Sequence, residues 1–364
     1  MLAGVEHVDD DQRRRAHGRV GWRDPIIEPT LPAPRAVTRF TSALDRNRPL
    51  TRMRPATSRH DLRMPRRRVG VVGLGRMGLP ICARIAQRGF SVTATDLRGE
   101  LQRAVTTVGA RWSDSLAEVG SGVDVVITVL PGPTEVAALV DPLVAVLAPG
   151  ATWIDLSSAT PETARQIGRA ARFRRLRTLD APLGGDPAAA SSGRLLVFAG
   201  GAAEDLEAQR DLLGTFADRI LHVGGPGSGY LVKLLVNLLW FGQAVAGSEA
   251  LALAARAGLD PDTVRRAVQE SAAANRFMET DARALLRGDY LTAFELTRCV
   301  DELDSVLALA NRLDVPLALA ERVTELYEEA LVRYGDVAGE LLAARLVAER
   351  AGVDFSNRSD PGPN

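Results

Sequence analysis

From Arg68 onward, short apolar runs alternate with longer amphipathic stretches. Arg68-Val69-Gly70-Val71-Val72 has strand length, and Met77 to Arg88 carries helical periodicity. Ser91-Val92-Thr93-Ala94-Thr95-Asp96 predicts a second strand. Asp124-Val125-Val126-Ile127-Thr128-Val129-Leu130, closed by Pro131-Gly132-Pro133, predicts a third, and Thr152-Trp153-Ile154-Asp155-Leu156 a fourth. Such runs suit a sheet buried on both faces, so the alternation up to about residue 222 implies parallel βαβ units. After Gly229 the strands stop. Tyr230 to Gly258 is apolar almost all round and predicts a buried helix. Further helical segments follow, punctuated by Gly258-Leu259-Asp260-Pro261, Gly288-Asp289 and Asp314-Val315-Pro316. The pattern predicts an α/β domain over 67–228 and an all-helical domain over 229–352, with the boundary near 227–230.

The two ends differ in texture. Residues 1–66 hold 14 arginines, are rich in proline and lack apolar periodicity, which predicts a disordered extension. Three explanations compete: an upstream misassigned start, since Met64 directly precedes the first strand; a retained tail; and a nucleic-acid-binding arm. The last is weakest, because no aromatics interleave with the charges. Residues 353–364 are polar and are expected to fray. The 364-residue chain balances 45 basic against 45 acidic residues, so no global charge points to nucleic acid. No run of membrane-spanning length and no secretory pattern stand out. The two cysteines, Cys82 and Cys299, form neither a disulfide framework nor metal-ligand spacing, so no metal is expected and a reducing cytoplasm is the default.

Gly73-Leu74-Gly75-Arg76-Met77-Gly78 follows the first strand and opens a helix. The first glycine permits the tight turn, the second lets backbone approach a pyrophosphate, and the third packs helix on strand. The helix N-terminus attracts phosphate charge. Asp96 ends the second strand at the spacing of a ribose-binding acid. Its carboxylate accepts from both ribose hydroxyls and repels a 2′-phosphate, which favours NAD. Leu97 and Arg98 follow, and Arg98 keeps NADP open. By topology, Leu130 and Pro131 at the end of the third strand lie near the ribose. Ser157 and Ser158 follow a strand's carboxyl end, where open α/β sheets place ligands; a turn or cap before Pro161 is the alternative.

Among 45 cations there is one lysine, Lys233, and it lies in an almost wholly apolar helical stretch. Lysine can lose its proton when desolvated, whereas arginine stays charged. Lys233 and Asn237 are four apart and share one helix face. A purely structural lysine there needs a carboxylate partner to offset desolvation.

Four blocks together resemble the β-hydroxyacid dehydrogenase family, which includes 3-hydroxyisobutyrate dehydrogenases and tartronate semialdehyde reductases. They are the glycine turn, Asp155-Leu156-Ser157-Ser158-Ala159-Thr160-Pro161, Asp180-Ala181-Pro182-Leu183-Gly184-Gly185-Asp186, and Gly227-x-Gly229 with Lys233 and Asn237. The likeness runs from about Arg68 to about Leu346. It implies an α/β Rossmann-type N-terminal domain joined by a long helix to an all-α domain, with Lys233 as general acid/base and Asn237 as its helper. It also implies Ser158 near the nicotinamide, substrate contacts from Ser157, Gly184, Gly185 and Asp186, and a homodimer or homotetramer formed through the helical domain. The expected partner is a small molecule, with neither nucleic acid nor membrane.

Two positions depart from the family pattern. Gly184-Gly185-Asp186 stands where a serine and two glycines are usual, and Asp301-Glu302 stands where Lys-Asp is frequent. Either the substrate is larger, neutral or amine-bearing, or Asp186 faces solvent and Asp301 faces water with Arg298 nearby. Beside the dehydrogenase reading stand two alternatives: an imine reductase, against which Lys233 argues, and a catalytically silent binding module.

Overall fold

The structure, a computed structural model, describes residues 67–355; the expected extension over 1–66 and residues 356–364 lie outside the described residues. Among the described residues nine strands form one sheet: β1 Arg68–Val72, β2 Ser91–Thr95, β3 Arg111–Trp112, β4 Val125–Thr128, β5 Thr152–Asp155, β6 Arg177–Asp180, β7 Leu183–Gly184, β8 Leu195–Gly200 and β9 Ala217–Gly224. The order β3-β2-β1-β4-β5-β6 is parallel throughout, the doubly wound arrangement. Both faces are buried. Val69, Val71, Val125 and Ile127 pack on one side with Ile81 and Ile85, while Val72, Val126 and Trp153 pack on the other with Val136, Val140 and Leu143.

The expected parallel sheet ends at β6. β8 runs antiparallel to β6, pairs antiparallel with β7, and carries β9 in parallel on its other side. The connection from Asp180 to Leu195 holds only a two-residue strand and the six-residue helix Pro187–Ser192. No element in it is long enough to cross the sheet, so the chain folds back instead.

The helix Ser228–Arg256 is 29 residues long. It leaves β8 and β9 and runs through the second domain, packing against the helices Pro261–Gln269, Leu296–Arg312, Ala318–Tyr334 and Leu342–Arg350. Contrary to the sequence reading, this element is long and apolar enough to cross a membrane by length and composition, with a mean hydropathy of 1.4 over an 18-residue window. Its Phe241, Val245 and Leu251 are buried within the bundle. Residues 353–355 also depart from expectation. They do not fray, because Phe355 and Val353 pack into the core around the long helix.

Candidate active site

The glycine turn sits where strand order reverses, between β1 and β4. Gly73 has φ +92°, and a methyl group there would lie 2.2 Å from the Val129 carbonyl oxygen. One on Gly78 would lie 2.0 Å from the Gly73 oxygen, so helix and turn are in contact there. Gly75 is different: its nearest neighbour beyond the adjoining residues would be an Arg98 nitrogen at 3.9 Å. The turn is closed behind and open in front, as a dinucleotide pyrophosphate requires. The helix Gly78–Gln87 begins immediately after it.

Asp96 Oδ2 accepts from the Leu74 N–H at 2.7 Å and Oδ1 from the Arg98 N–H at 3.0 Å. The Arg98 guanidinium donates to both oxygens, at 2.9 and 3.0 Å. Burial alone would raise the Asp96 carboxyl, but the Arg98 side chain and these backbone donors outweigh it and hold it below its ordinary value. Leu97 is fully exposed beside it. Arg76 turns across to the helical domain and donates to the Thr292 carbonyl at 2.8 Å. These residues fit an adenine dinucleotide: an open glycine edge, a helix N-terminus and a carboxylate at the end of β2.

A buried polar network joins the sheet to the long helix. Asp155 accepts from Thr128, from Ser157 at 2.8 Å and from the Tyr230 hydroxyl. Trp153 Nε1 donates to Thr128 Oγ1 at 2.9 Å. Burial pushes the Asp155 carboxyl above its ordinary value, and the hydroxyl donors offset only part of that. Ser157 also accepts from the Leu130 N–H at 2.9 Å. Its hydroxyl is thus buried and engaged inside the protein, contrary to the substrate contact expected of it. It holds the turn after β4 against the turn after β5.

Asp180 performs the parallel task at β6. It accepts from the Gly227 N–H at 2.7 Å and the Tyr230 N–H at 3.2 Å, at the start of the long helix. Burial raises its carboxyl to about 6 despite these donors. In the sequence Asp155 and Asp180 appear only as the first residues of two family-like blocks and Tyr230 only as the start of a helix, with no role assigned to their side chains. The available signal was an ionisable group ending each of two buried strands.

Pro131, Ser158, Leu234, Phe294, Arg298, Asp301 and Glu302 line a cleft of about 310 Å³ between the two domains, its open mouth included. Pro131 and Ser158 were anticipated, whereas Gly184, Gly185 and Asp186 are not among its lining residues. Asp186 is exposed and caps the Pro187–Ser192 helix through the Ala189 N–H at 2.7 Å, so the substrate contact expected of it is replaced by a structural one. Asp301 pairs with Arg298 at 3.5 Å, and Arg298 also reaches Glu135 at 3.4 Å. Asp186 and Asp301 are therefore held by a helix cap and by local pairing, while Glu302, next to Asp301, is buried.

Lys233 is half-buried in the second turn of the long helix and makes no ion pair or hydrogen bond among the described residues. Asn237, one turn on, donates through Nδ2 to Glu302 Oε2. Glu340 completes the surroundings. Burial raises its carboxyl to about 7, opposed by the charges of Lys233 and Arg76 and reinforced by Asp281 and Glu302. Its position, in the loop before Leu342–Arg350, carried no sequence signal.

Comparison with known proteins gives the same two halves. A family model for the NAD binding domain of 6-phosphogluconate dehydrogenase matches residues 68–224. One described as NAD-binding of NADP-dependent 3-hydroxyisobutyrate dehydrogenase matches residues 227–347. An L-threonate dehydrogenase from Cupriavidus necator is 31% identical over 265 residues, which cover 72% of this chain and 89% of the relative. A 3-hydroxyisobutyrate dehydrogenase from Pseudomonas aeruginosa is 30% identical over 300 residues, covering 79% and 96%. Among solved structures, Mycobacterium tuberculosis 3-hydroxyisobutyrate dehydrogenase with L-serine superposes with a TM-score of 0.72 at 22% identity, covering 77% of this chain and 99% of that one. At that identity the likeness shows the fold.

Proposed function

Because this chain belongs to the β-hydroxyacid dehydrogenase family, we propose that Lys233 is the general acid/base with which it interconverts an alcohol and a carbonyl on a small hydroxy acid. The enzyme is an NAD(P)-dependent oxidoreductase acting on a CH–OH group. The observation that carries the assignment is that the chain's single lysine is half-buried and makes no ion pair or hydrogen bond among the described residues. It lies on a helix whose start is tied down by Asp180 and Tyr230. A structural lysine there would be ion-paired or hydrogen-bonded to a carboxylate, whereas Glu340 reaches it only as a nearby charge.

Gly73, Leu74, Gly75, Arg76, Met77 and Gly78 hold the pyrophosphate. Asp96, flanked by Leu97 and Arg98, takes the ribose and favours NAD. Leu130 and Pro131 lie near the ribose, and Ser158 borders the nicotinamide. A bound nicotinamide supplies the hydride acceptor or donor. The protein's own residues handle the proton and the oxygen. In the oxidative direction, the uncharged Lys233 amine takes the hydroxyl proton as the carbinol carbon gives up its hydride. In reduction the ammonium returns that proton to the carbonyl oxygen and stabilises its developing charge. The Asn237 amide, anchored on Glu302, steadies the same oxygen without competing for the proton. Imine reduction and a silent binding module rest on no residue arrangement that this reading leaves unexplained.

The exposed apolar stripe Leu235, Leu239 and Leu253 along the long helix supports pairing of helical domains in a homodimer. Two buried free thiols, Cys82 and Cys299, suit a reducing cytoplasm.

Lys233→Met, with NAD and a 3-hydroxy acid as substrates, is the test. We expect kcat/KM to fall by roughly 10²–10⁴ while cofactor binding persists. Turnover within about tenfold of wild type would remove Lys233 from the chemistry.

A further inference from the structure

Glu302 is 8% exposed, yet it lines the inter-domain cleft. One of its oxygens is used, accepting from Asn237. The other, Oε1, is buried and has no partner among the described residues. Buried acceptors are almost always satisfied, and an orphan is costly unless something else fills the position. Neither Arg298 nor Lys233 fills it: Arg298 is committed to Asp301 and Glu135, and Lys233 makes no ion pair or hydrogen bond among the described residues. A carboxylate oxygen accepts and cannot donate, so it repels the acid group of a substrate and calls for an N–H or O–H.

We propose that Glu302 is a specificity-determining residue. Its Oε1 receives a hydrogen-bond donor, a hydroxyl or an ammonium, on the substrate carbon beside the reacting carbinol. The inference rests on the Lys233 assignment above. Asn237 links the two positions: it lies one turn from Lys233 and is bonded to Glu302. A molecule whose reacting oxygen meets Lys233 and Asn237 therefore brings the neighbouring carbon to Glu302. Of the acids that depart from the family pattern, Asp186 caps a helix and Asp301 is paired, which leaves Glu302 as the one with an open acceptor.

Three β-hydroxy acids separate the outcomes: L-threonate has a hydroxyl on the α carbon, L-serine an ammonium, and 3-hydroxypropionate neither. Wild type is expected to favour at least one donor-bearing acid in kcat/KM by about tenfold or more, since a site built to bond an OH or NH rejects the analogue lacking it. Glu302→Met should bring that ratio close to one. Glu302→Gln keeps an acceptor and the side-chain volume. It should preserve a hydroxyl preference and abolish an ammonium preference, which identifies the donor. Melting temperature and cofactor binding are read on each variant. If the Met variant does not fold, an ammonium preference that survives in the Gln variant, or a hydroxyl preference that survives in Glu302→Ala, which leaves no acceptor, overturns the proposal. An equal loss on all three acids in the Met variant also overturns it, since Glu302 then acts only through Asn237. Turnover of 3-hydroxypropionate with no preference sinks the Glu302 assignment and leaves Lys233 standing. No turnover of any of the three with cofactor bound counts against both.

Discussion

Asp180 accepts the backbone N–H groups of Gly227 and Tyr230, and Lys233 follows Tyr230 by three residues on the same helix. The carboxylate at the end of β6 therefore sets the starting point of the helix that carries the proposed proton donor. There is little freedom around it: a methyl group on Gly229 would lie 2.3 Å from the Asp180 carbonyl oxygen. Asp180→Ala leaves these buried donors unpaired and is expected to cost roughly 1–3 kcal/mol of stability. It should also lower kcat more than it weakens cofactor binding. The pH dependence has a definite sign. Because the folded carboxyl is raised from 3.8 to about 6, its contribution to stability is full below pH 3.8 and is lost as pH rises through about 6. Asp180→Asn should flatten that segment of the urea-denaturation profile.

The glycine turn separates folding from binding. A side chain at Gly78 meets the Gly73 carbonyl at 2.0 Å, whereas one at Gly75 meets only an arginine tip at 3.9 Å. Gly78→Ala should lower the melting temperature and abolish cofactor binding together. Gly75→Ala should leave the melting temperature of the free protein near wild type and still weaken NAD binding, by about tenfold or more, because a methyl group occupies the pyrophosphate approach. Calorimetry of both variants, with and without NAD, checks the contrast.

Much of this was legible in the chain. The strands β1, β2, β4 and β5, the glycine turn and the Lys233–Asn237 face all follow from local periodicity and spacing, which is where sequence signals are strongest. What was not legible depends on partners far apart in sequence. Ser157 reads as a ligand contact at a strand's carboxyl end until Asp155 and Leu130 take its hydroxyl. Asp186 reads as an added charge until the short helix after it needs a cap. The reversal at β8 follows from the absence of a crossover helix between Asp180 and Leu195. Glu340 falls near Lys233 only because the last helices fold back against the long one.

Asp96 and Arg98 form a closed pair over the adenosine end of the turn. The carboxylate disfavours a 2′-phosphate, and the arginine beside it is held by that carboxylate. Asp96→Ala removes the repulsion and releases the guanidinium at once. The ratio of kcat/KM for NAD over NADP should fall by about tenfold or more, each tenfold corresponding to about 1.4 kcal/mol. Arg98→Ala alone should keep the NAD preference. An Asp96→Ala enzyme with an unaltered ratio would place ribose recognition elsewhere.

Glu340 faces Lys233, Arg76, Asp281 and Glu302, and burial raises its carboxyl from 4.5 to about 7. As pH climbs through about 7, the surroundings of the proposed acid/base therefore gain a negative charge. The same shift means that Glu340 stabilises the fold fully below pH 4.5 and ceases to do so as pH passes about 7. Glu340→Gln is neutral at every pH and fills the same volume. Wild-type kcat/KM plotted against pH should bend near about 7, and that bend should be missing from the Gln variant. The variant should also unfold at a more nearly constant urea concentration between pH 4.5 and about 7, the span over which the raised carboxyl costs the wild type its stability. A bend that survives Glu340→Gln assigns the titration to another group and removes Glu340 from the proton's surroundings.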